Sequence, residues 1–394
     1  MSPSPEREAA PVVPSMPAVP AVPRAEVVGS LKRPARLVDA NHRLYAPGHT
    51  AIQAEERAKG SEEVQAIADE EIPGVVQHQI DLGLDVVTDG ELRRYMFLNS
   101  LFDGIEGFST EVSKARFRGA DGSTVDWNMQ FVVDRMRIVD NPAAREAAFL
   151  AGLTDHPFKV AFPAASFLAL PFNWRVGLND HAYASHRELV EHAVEIEREL
   201  VAGAVAAGAR YVQFDFPTYP FLCDPAWCSR LEHAGFDWRE TLELCLWADR
   251  AVLAGLPDDV RTGIHVCRGN NQGRYVAEGS LEPVAEAFFT LPYDSFLVEW
   301  EDRERMGDFS PLRHLPPGDS VVVLGLVSSK RPDLESVDAV VALLDDAASY
   351  ADPARLALSP QCGFASTLEG NDLTEADQWS KLALVASVAH HYWS

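Results

Sequence analysis

The sequence predicts a single (β/α)8 barrel, and three observations favour that fold class. Eight short apolar runs with the character of strands alternate with stretches of helical periodicity along the 394 residues. Polar residues follow the ends of these runs, where barrels of this class carry their active sites. No glycine-rich phosphate loop follows the first run, which disfavours the alternative, a doubly wound parallel sheet.

The apolar runs and the helical periodicity define the predicted elements. Strands are predicted at 26–31, 84–91, 156–163, 209–217, 263–267, 294–300, 319–327 and 355–362. Helices are predicted at 50–83, 186–207, 241–253, 281–289, 333–350 and 375–391. Pro73 is expected to break the first helix, because proline lacks an amide hydrogen and clashes with the preceding turn. The glycine-rich polar stretch 100–128 is predicted to be an insertion after the second strand.

The first 25 residues differ in composition from the remainder of the chain. They are rich in proline and alanine and predict a disordered tail, so the barrel is expected to span 26–394. This tail lacks a basic region followed by an apolar one, and we therefore expect no secretory signal. No run of about 18 apolar residues occurs, so no membrane span is predicted.

Charge and cysteine content narrow the class of protein. A net charge of −25 argues against nucleic acid or an anionic membrane as the partner, because like charges repel. Five cysteines are a low and odd number for this length, which predicts reduced thiols in a cytoplasmic protein. Cys223 and Cys228 are expected to be a loop pair without metal, and Cys245 a helix core residue. The sequence does not decide the oligomeric state, and a homo-oligomer is one of the open alternatives.

Four residues at strand ends form a candidate zinc site. His265 and Cys267 alternate along one strand, so both side chains lie on the same face. Glu299 and Cys362 end two other apolar runs, and two thiolates, one imidazole and one carboxylate suit tetrahedral zinc. Glu301 shares a strand face with Glu299, so spacing alone does not choose between them. The alternatives are a buried strand pair without metal and a purely structural zinc.

Seven motifs resemble one known family, in the family's own order. They are VGSLKRP, VVTDGELRR, QFDFP, IHVCRGN, LVEWEDRERMGDF, VVLGLVSSK and SPQCGF. In these motifs the chain resembles the cobalamin-independent methionine synthases, and within them a short single-barrel branch that includes epoxyalkane:coenzyme M transferases. The resemblance implies zinc held by His265, Cys267, Glu299 and Cys362, and thereby favours Glu299 over Glu301. It also implies that the amino-acid thiol contacts Gly29, Ser30, Glu91 and Asp215.

Three departures from the family pattern leave the alkyl donor open. The chain has no counterpart of the N-terminal half that helps the two-barrel enzymes to bind polyglutamyl folate. The family's Asp-Glu-Pro is Asp215-Phe216-Pro217 in this chain, which removes one carboxylate. The two-barrel enzymes place a histidine in the loop after the seventh strand, where this chain has Leu326–Ser329. Proton delivery to a folate nitrogen is therefore not predicted by the resemblance.

The predicted function is zinc-dependent transfer of an alkyl group to a small thiol. A methyl group is the first expectation for the alkyl group, and homocysteine for the thiol. A zinc that already carries three anionic ligands is a poor activator of water, which favours a thiolate nucleophile over hydrolysis. Glu91 and Asp215 are the predicted catalytic carboxylates and would hold the substrate ammonium, while Ser30 and nearby backbone hold its carboxylate. Glu91 could instead cap a following helix. Alternatives for the whole protein are a transferase acting on an epoxide or specialised metabolite, and a non-catalytic zinc or thiol binder.

Overall fold

The computed structural model describes residues 19–44, 54–109 and 113–394. Most of the predicted disordered tail and the start of the helix predicted from residue 50 lie outside the described residues. Arg24 and Ala25, which the sequence places in that tail, belong to the fold. Ala25 is fully buried, and the Arg24 amide donates a 2.6 Å hydrogen bond to the Asp85 carboxylate. Within the described part of the chain, no helix is long and apolar enough to cross a membrane.

The centre of the fold is a six-stranded parallel sheet in the order β10-β9-β8-β7-β6-β5. The strands of the described chain are β1 (Ile105–Phe108), β2 (Ser113–Arg118), β3 (Thr124–Met129), β4 (Val132–Ile138), β5 (Val160–Pro163), β6 (Tyr211–Asp215), β7 (Arg261–Val266), β8 (Ser295–Glu299), β9 (Val321–Val327) and β10 (Leu356–Pro360). The six sheet strands are buried almost throughout, as expected for a parallel sheet covered by helices. The register pairs Asp215 with His265, which places two predicted site residues side by side.

The first two predicted strands, 26–31 and 84–91, form only single parallel bridges. Glu26 pairs with Val86, while neighbouring bridges join Ala25 to Leu358 and Val87 to Phe158. The prediction of two regular strands was therefore wrong, and the bonding of Thr88 gives the reason. Its backbone amide and carbonyl both bond the Gln79 side chain, at 3.1 and 2.8 Å, instead of a neighbouring strand. Glu91 then adopts a φ of 55°, which ends extended backbone.

Helices surround the sheet. They are α1 (Ala35–Leu44), α2 (Ala54–Asp81), α3 (Asn99–Phe102), α4 (Pro142–Leu153), α5 (His186–Ala206), α6 (Tyr219–Cys223), α7 (Pro225–His233), α8 (Trp238–Leu253), α9 (Glu282–Phe288), α10 (Arg303–Met306), α11 (Val337–Ala347) and α12 (Glu375–Tyr392). Short 3-10 helices span Ala165–Ala169, Pro171–Asn173, Ser310–His314 and Pro353–Arg355. All six predicted helices are present, although that predicted at 333–350 begins only after Ser336, whose hydroxyl caps it.

Pro73 does not break α2, contrary to the prediction. The helix continues from Ala54 to Asp81 through the proline. Val64, Ala68, Ile72 and Val76 repeat every four residues and are all buried in the main core. This continuous apolar face packs on both sides of Pro73 and outweighs the roughly 3 kcal/mol that an interior proline costs.

The insertion after the second predicted strand is longer than the predicted 100–128. It forms two antiparallel pairs, β1 with β4 and β2 with β3, and ends at Ile138. Arg118, at the end of β2, forms an antiparallel bridge with Tyr275 in the loop after β7. The β2–β3 hairpin therefore packs against the loop that follows His265 and Cys267.

Candidate active site

One cleft at the carboxyl ends of the sheet strands collects most of the predicted site residues. This cleft is partly open to solvent. Seven of the eight predicted residues line it: Gly29, Ser30, Glu91, Asp215, His265, Cys267 and Cys362. The eighth, Glu299, is fully buried behind this surface. Residues that are far apart in the chain thus converge on one cavity, as expected for a strand-end site.

His265, Cys267 and Cys362 form a group with the geometry of metal ligands. One ligand atom from each lies within 4.8 Å of the other two, and all three residues are buried. Both ring nitrogens of His265 are shielded from solvent and make no hydrogen bond with any described residue. Because an unsatisfied buried imidazole is costly, these nitrogens indicate a missing partner. A nitrogen and two sulfurs are ligands that zinc prefers, so the group fits zinc.

The three side chains also shift each other's protonation. The thiol of Cys267 and the imidazole of His265 hold the pKa of Cys362 well below the ordinary thiol range, against the effect of burial. Cys362 in turn, together with burial, raises the pKa of Cys267 well above its ordinary value. Burial lowers the pKa of His265, but the adjacent Cys362 outweighs burial and raises it.

Glu299 lies outside the three-residue group and has other partners. Its carboxylate accepts hydrogen bonds from the Arg268 backbone amide and, at 2.6 Å, from Lys330 Nζ. Arg305 Nη2 and Gln361 Nε2 each lie 3.4 Å from its Oε1 atom. Burial favours the neutral acid, but Lys330 and Arg305 prevail and lower the pKa of Glu299 to about 2. The zinc-ligand role of Glu299 stays a prediction.

Glu301, the alternative ligand, differs from Glu299 in its electrostatics. Its nearest cation is Arg305, with Nη2 at 3.3 Å. Burial and the neighbouring charge of Glu299 raise the pKa of Glu301 to about 7. Glu299 is therefore the carboxylate that is anionic at neutral pH, whereas Glu301 is close to half protonated.

Glu91 projects its carboxyl group into the cleft beside Gly29. A Cβ atom at position 29 would lie 2.6 Å from Glu91 Oε1, so only glycine allows this approach. Arg94 Nη1 is 3.9 Å from the same oxygen, and Glu91 Oε2 has no hydrogen-bond partner among the described residues. Burial raises the pKa of Glu91 to about 8, opposed by Arg94 and reinforced by Asp215. No helix begins at residue 91, so the capping alternative does not hold.

Asp215 ends β6 and is fixed by a residue that sequence reasoning missed. Gln213 Nε2 donates one 2.8 Å hydrogen bond to Asp215 Oδ1 and another to the Val28 carbonyl. Burial raises the pKa of Asp215 to about 6, although His265 and Gln213 act to lower it. Gln213 therefore connects the predicted substrate carboxylate to the segment that carries Gly29 and Ser30. The only signal in the sequence was a polar residue inside an apolar run.

Ser30 and Cys362 are brought together by close packing of two loops. The Phe364 amide donates a 2.8 Å hydrogen bond to the Ser30 carbonyl. A Cβ at Gly363 would overlap the Ser30 hydroxyl, so glycine is required there. Ser30 is thereby held against the backbone that directly follows Cys362, and its substrate role stays a prediction.

Other residues that line the cleft were not predicted as site residues. They include Phe97, Phe117, Phe216, Asn270, Asn271, Ser366 and Thr367. Phe216 was recognised only as a departure from the family pattern, and the two other phenylalanines come from chain segments without any motif. Asn270 donates a 2.7 Å hydrogen bond to the Gly363 carbonyl and so ties the β7 loop to the Cys362 loop.

Comparison with known proteins gives relatives along nearly the whole chain. No protein-family profile matches it. The uncharacterized protein YxjG of Bacillus subtilis is 33% identical over 381 residues, and the uncharacterized protein YxjH of the same organism is 30% identical over 372 residues. Each alignment covers 94% of this chain and 94% of the relative.

More distant relatives carry a methionine synthase name. A 5-methyltetrahydropteroyltriglutamate–homocysteine methyltransferase of Bacillus cytotoxicus is 18% identical over 304 residues, which are 77% of this chain but only 36% of that enzyme. A solved putative vitamin-B12-independent methionine synthase of Listeria monocytogenes is 26% identical, with a TM-score of 0.67 over 94% of this chain and 98% of that one. A B12-independent methionine synthase of Shewanella sp. W3-18-1, solved with selenomethionine, shares the fold at 18% identity, with a TM-score of 0.65 over 96% and 98%.

Proposed function

Because the chain belongs to the family of vitamin-B12-independent-methionine-synthase-like proteins that includes YxjG and YxjH, we propose that it is a zinc-dependent thiol methyltransferase. The acceptor is homocysteine or a similar small amino-acid thiol. The observation that carries the proposal is the convergence of His265, Cys267 and Cys362 with Glu91 and Asp215 on one buried cleft. A metal-ligand group and two carboxylates in one cavity suit a substrate with both a thiol and an ammonium group.

The proposal includes a closed (β/α)8 barrel as the framework. Six strands pair in sequence order, and the bridges at Ala25, Glu26 and Val87 link β10 to the first two predicted strands and these to the start of β5. In a closed barrel all carboxyl ends meet at one rim. That arrangement accounts for a site whose residues come from six separate strand ends.

Zinc would be held by His265, Cys267 and Cys362, with Glu299 as the predicted fourth ligand. When bound, it supplies an electrophile that keeps the substrate thiol deprotonated at neutral pH. Lys330 and Arg305 contribute positive charge next to Glu299, which limits the repulsion among the anionic groups. Their position also keeps Glu299 ionised, which any metal-binding carboxylate must be.

The remaining residues position the thiol. Glu91 and Asp215 would bind the substrate ammonium between them, because both are buried and face the cleft. Ser30 and the adjoining backbone would bind the carboxylate. In the transfer step a sulfur lone pair forms the new S–C bond while the bond between that carbon and the donor breaks, and its electron pair leaves with the donor.

Zinc X-ray absorption and metal analysis on the purified full chain test the proposal. We expect about one zinc per chain, with two sulfur ligands that become three when homocysteine is added. Cys362→Ser should lose most of the zinc, whereas the matched control Cys228→Ser, at a half-buried thiol away from the cleft, should retain it. Absence of zinc after metal-replete purification would refute the proposal.

Product analysis then separates the methyl transfer from its main alternative. A methyl thioether formed from homocysteine supports methyl transfer. A hydroxyalkyl thioether formed from an epoxide would instead identify the specialised-metabolite alternative. If zinc gains no third sulfur ligand with homocysteine but gains one with another thiol, that other thiol is the acceptor. The proposed zinc site would still stand.

A further inference from the structure

The segment that follows β9 contributes no predicted metal ligand, yet it bonds both neighbours of Cys362. The Ser329 amide donates a 2.7 Å hydrogen bond to Gln361 Oε1, and the Ser329 hydroxyl donates a 2.9 Å hydrogen bond to the Gly363 carbonyl. The Gln361 amide donates a further 2.8 Å hydrogen bond to the Val327 carbonyl. The chain immediately before and after the Cys362 thiol is therefore fixed to the end of β9 and the residues that follow it.

A bulge in β9 directs this segment toward the Cys362 loop. Ser359 of β10 pairs with Gly325 of β9. The next residue of β10, Pro360, pairs with Val327 rather than with Leu326, so β9 has one extra residue at this point. A bulge bends its strand and redirects the residues that follow it. The bulge begins the stretch in which the two-barrel enzymes place a histidine, so the departure from the family pattern coincides with the contacts to the Cys362 loop.

Ser329 is fully buried, and all of its polar groups form hydrogen bonds. Its carbonyl accepts a 2.7 Å hydrogen bond from Asn371 Nδ2, in the loop before α12, in addition to the two bonds that its amide and hydroxyl donate. Gln361 is fully buried as well. Because water cannot replace a partner at this depth, the loss of one of these bonds leaves a buried polar group unsatisfied. Ser329 is therefore itself fixed, as a support for a metal ligand has to be.

The Gly363 carbonyl also connects the Cys362 loop to the loop that follows Cys267. Asn270 belongs to that second loop, and its Nδ2 atom donates a 2.7 Å hydrogen bond to the Gly363 carbonyl. Ser329 and Asn270 thus bond one oxygen from two different loops, directly after Cys362. The sulfur atoms of Cys267 and Cys362 lie within 4.8 Å of each other, so a displacement of this carbonyl would change the spacing of the two thiols.

We propose that Ser329 and Asn270 are positioning residues of the metal centre, which clamp the Gly363 carbonyl and so hold Cys362 at metal-binding distance from Cys267. This inference rests on the proposed zinc-dependent function and gives the segment after β9 a part in it. Neither residue is a ligand. They restrict the Cys362 loop before the metal binds, so that binding has to order the ligands less. Residues that orient metal ligands in this way contribute about ten- to a hundredfold to metal affinity.

The zinc affinity of the purified full chain, measured by competition with a chelator, tests the inference. Ser329→Ala should raise the zinc dissociation constant about ten- to a hundredfold, because the Gly363 carbonyl loses one of its two short hydrogen bonds. Ser329→Thr keeps the hydroxyl and should restore most of the affinity. Ser295→Ala is the matched control, at an equally buried serine whose hydroxyl accepts a hydrogen bond from Arg261 at the amino end of β8. This control should leave the zinc affinity unchanged.

Urea unfolding of the metal-free proteins separates positioning from a general loss of stability, because zinc affinity is then compared only where each variant is folded. Asn270→Ala is the second variant in case Ser329→Ala fails to fold, and it should weaken zinc binding in the same way. Wild-type zinc affinity in the variant that folds, or an equal loss of affinity in Ser295→Ala, would overturn the inference and leave the proposed function standing. Absence of zinc from the wild-type chain would instead refute the proposed function, and the inference with it.

Discussion

Two buried clusters of charge lie toward opposite ends of the same strands and differ in how their charge is balanced. Toward the amino ends, Glu26 and Lys159 are both fully buried and form a 2.8 Å ion pair. Toward the carboxyl ends, Glu91 and Asp215 are also buried but face the cleft, and the cation nearest to Glu91 is Arg94, at 3.9 Å, which pairs more closely with Glu146. We call these the paired end and the cleft end.

The difference separates structure from function. At the paired end each charge has its counter-ion within the protein, so the cluster is complete once the chain has folded. At the cleft end burial raises the pKa of Glu91 to about 8 and that of Asp215 to about 6. Buried carboxyl groups with a raised pKa destabilise the fold when they are ionised and no cation is bound. Such groups are typical of a binding site.

Lys159→Met tests the paired end and should give the largest effect on stability. It leaves Glu26 buried without its counter-ion, which costs about 3–5 kcal/mol of unfolding free energy. Urea denaturation measures the loss, and the double variant with Glu26→Gln should recover much of it. Arg36→Met removes an exposed ion pair with Glu70 and should cost about 1 kcal/mol or less. If Lys159→Met unfolds like the wild type, the paired end has no such role.

Glu91→Gln tests the cleft end and should change function without loss of stability. It removes the charge that would hold the substrate ammonium but keeps the size of the side chain. Homocysteine affinity, measured by calorimetry on the zinc-loaded protein, should fall about ten- to a hundredfold. Glu232→Gln, in α7 and away from the cleft, should leave affinity unchanged. An equal loss of stability and affinity would contradict the distinction between the two ends.

The pH dependence of stability sharpens the same comparison. The folded pKa of Glu91 is raised to about 8 from an ordinary value of 4.5. Between these values the unfolded chain has released the proton that the folded chain retains, so wild-type stability falls relative to Glu91→Gln as pH rises. The loss of wild-type stability relative to Glu91→Gln should grow by at most about 1.4 kcal/mol per pH unit between pH 4.5 and 8. Below pH 4.5 this pH-dependent loss should vanish. Thermal unfolding of both proteins from pH 4 to 9 measures it, and parallel curves would contradict the raised pKa.

Strand periodicity predicted that His265, Cys267 and Cys362 would converge, whereas side-chain hydrogen bonds made the prediction of two regular strands wrong. His265 and Cys267 alternate on one strand, and Cys362 follows another, so the rule that carboxyl ends meet was enough to bring the three together. The segments predicted as strands at 26–31 and 84–91 form only bridges. The Gln79 side chain takes the backbone hydrogen bonds of Thr88, and the Thr88 hydroxyl donates to the Gly29 carbonyl. A side-chain bond from a helix to a strand segment leaves no periodic signal.

The walls of the site could not be predicted for a related reason. Phe97 follows a turn and Phe117 lies in an inserted hairpin, so their meeting with Phe216 depends on how three separate loops pack. The pairing of Glu299 with Lys330 likewise depends on where a flexible side chain comes to lie. Residue type and spacing contain information about which residues share a strand face, and little about contacts between loops.

Gln213 joins the two ends, and its substitution should give the smallest effect. Tyr211, Gln213 and Asp215 alternate onto one face of β6, and the Tyr211 ring lies 5.2 Å from Lys159 Nζ. Gln213→Met removes the bond that orients Asp215, so KM for the thiol should rise about fivefold, equivalent to about 1 kcal/mol, with kcat unchanged. In a double-mutant cycle the effect should disappear in an Asp215→Asn background. If it persists there, Gln213 acts on packing alone, and the cleft end is organised independently of the strand beneath it.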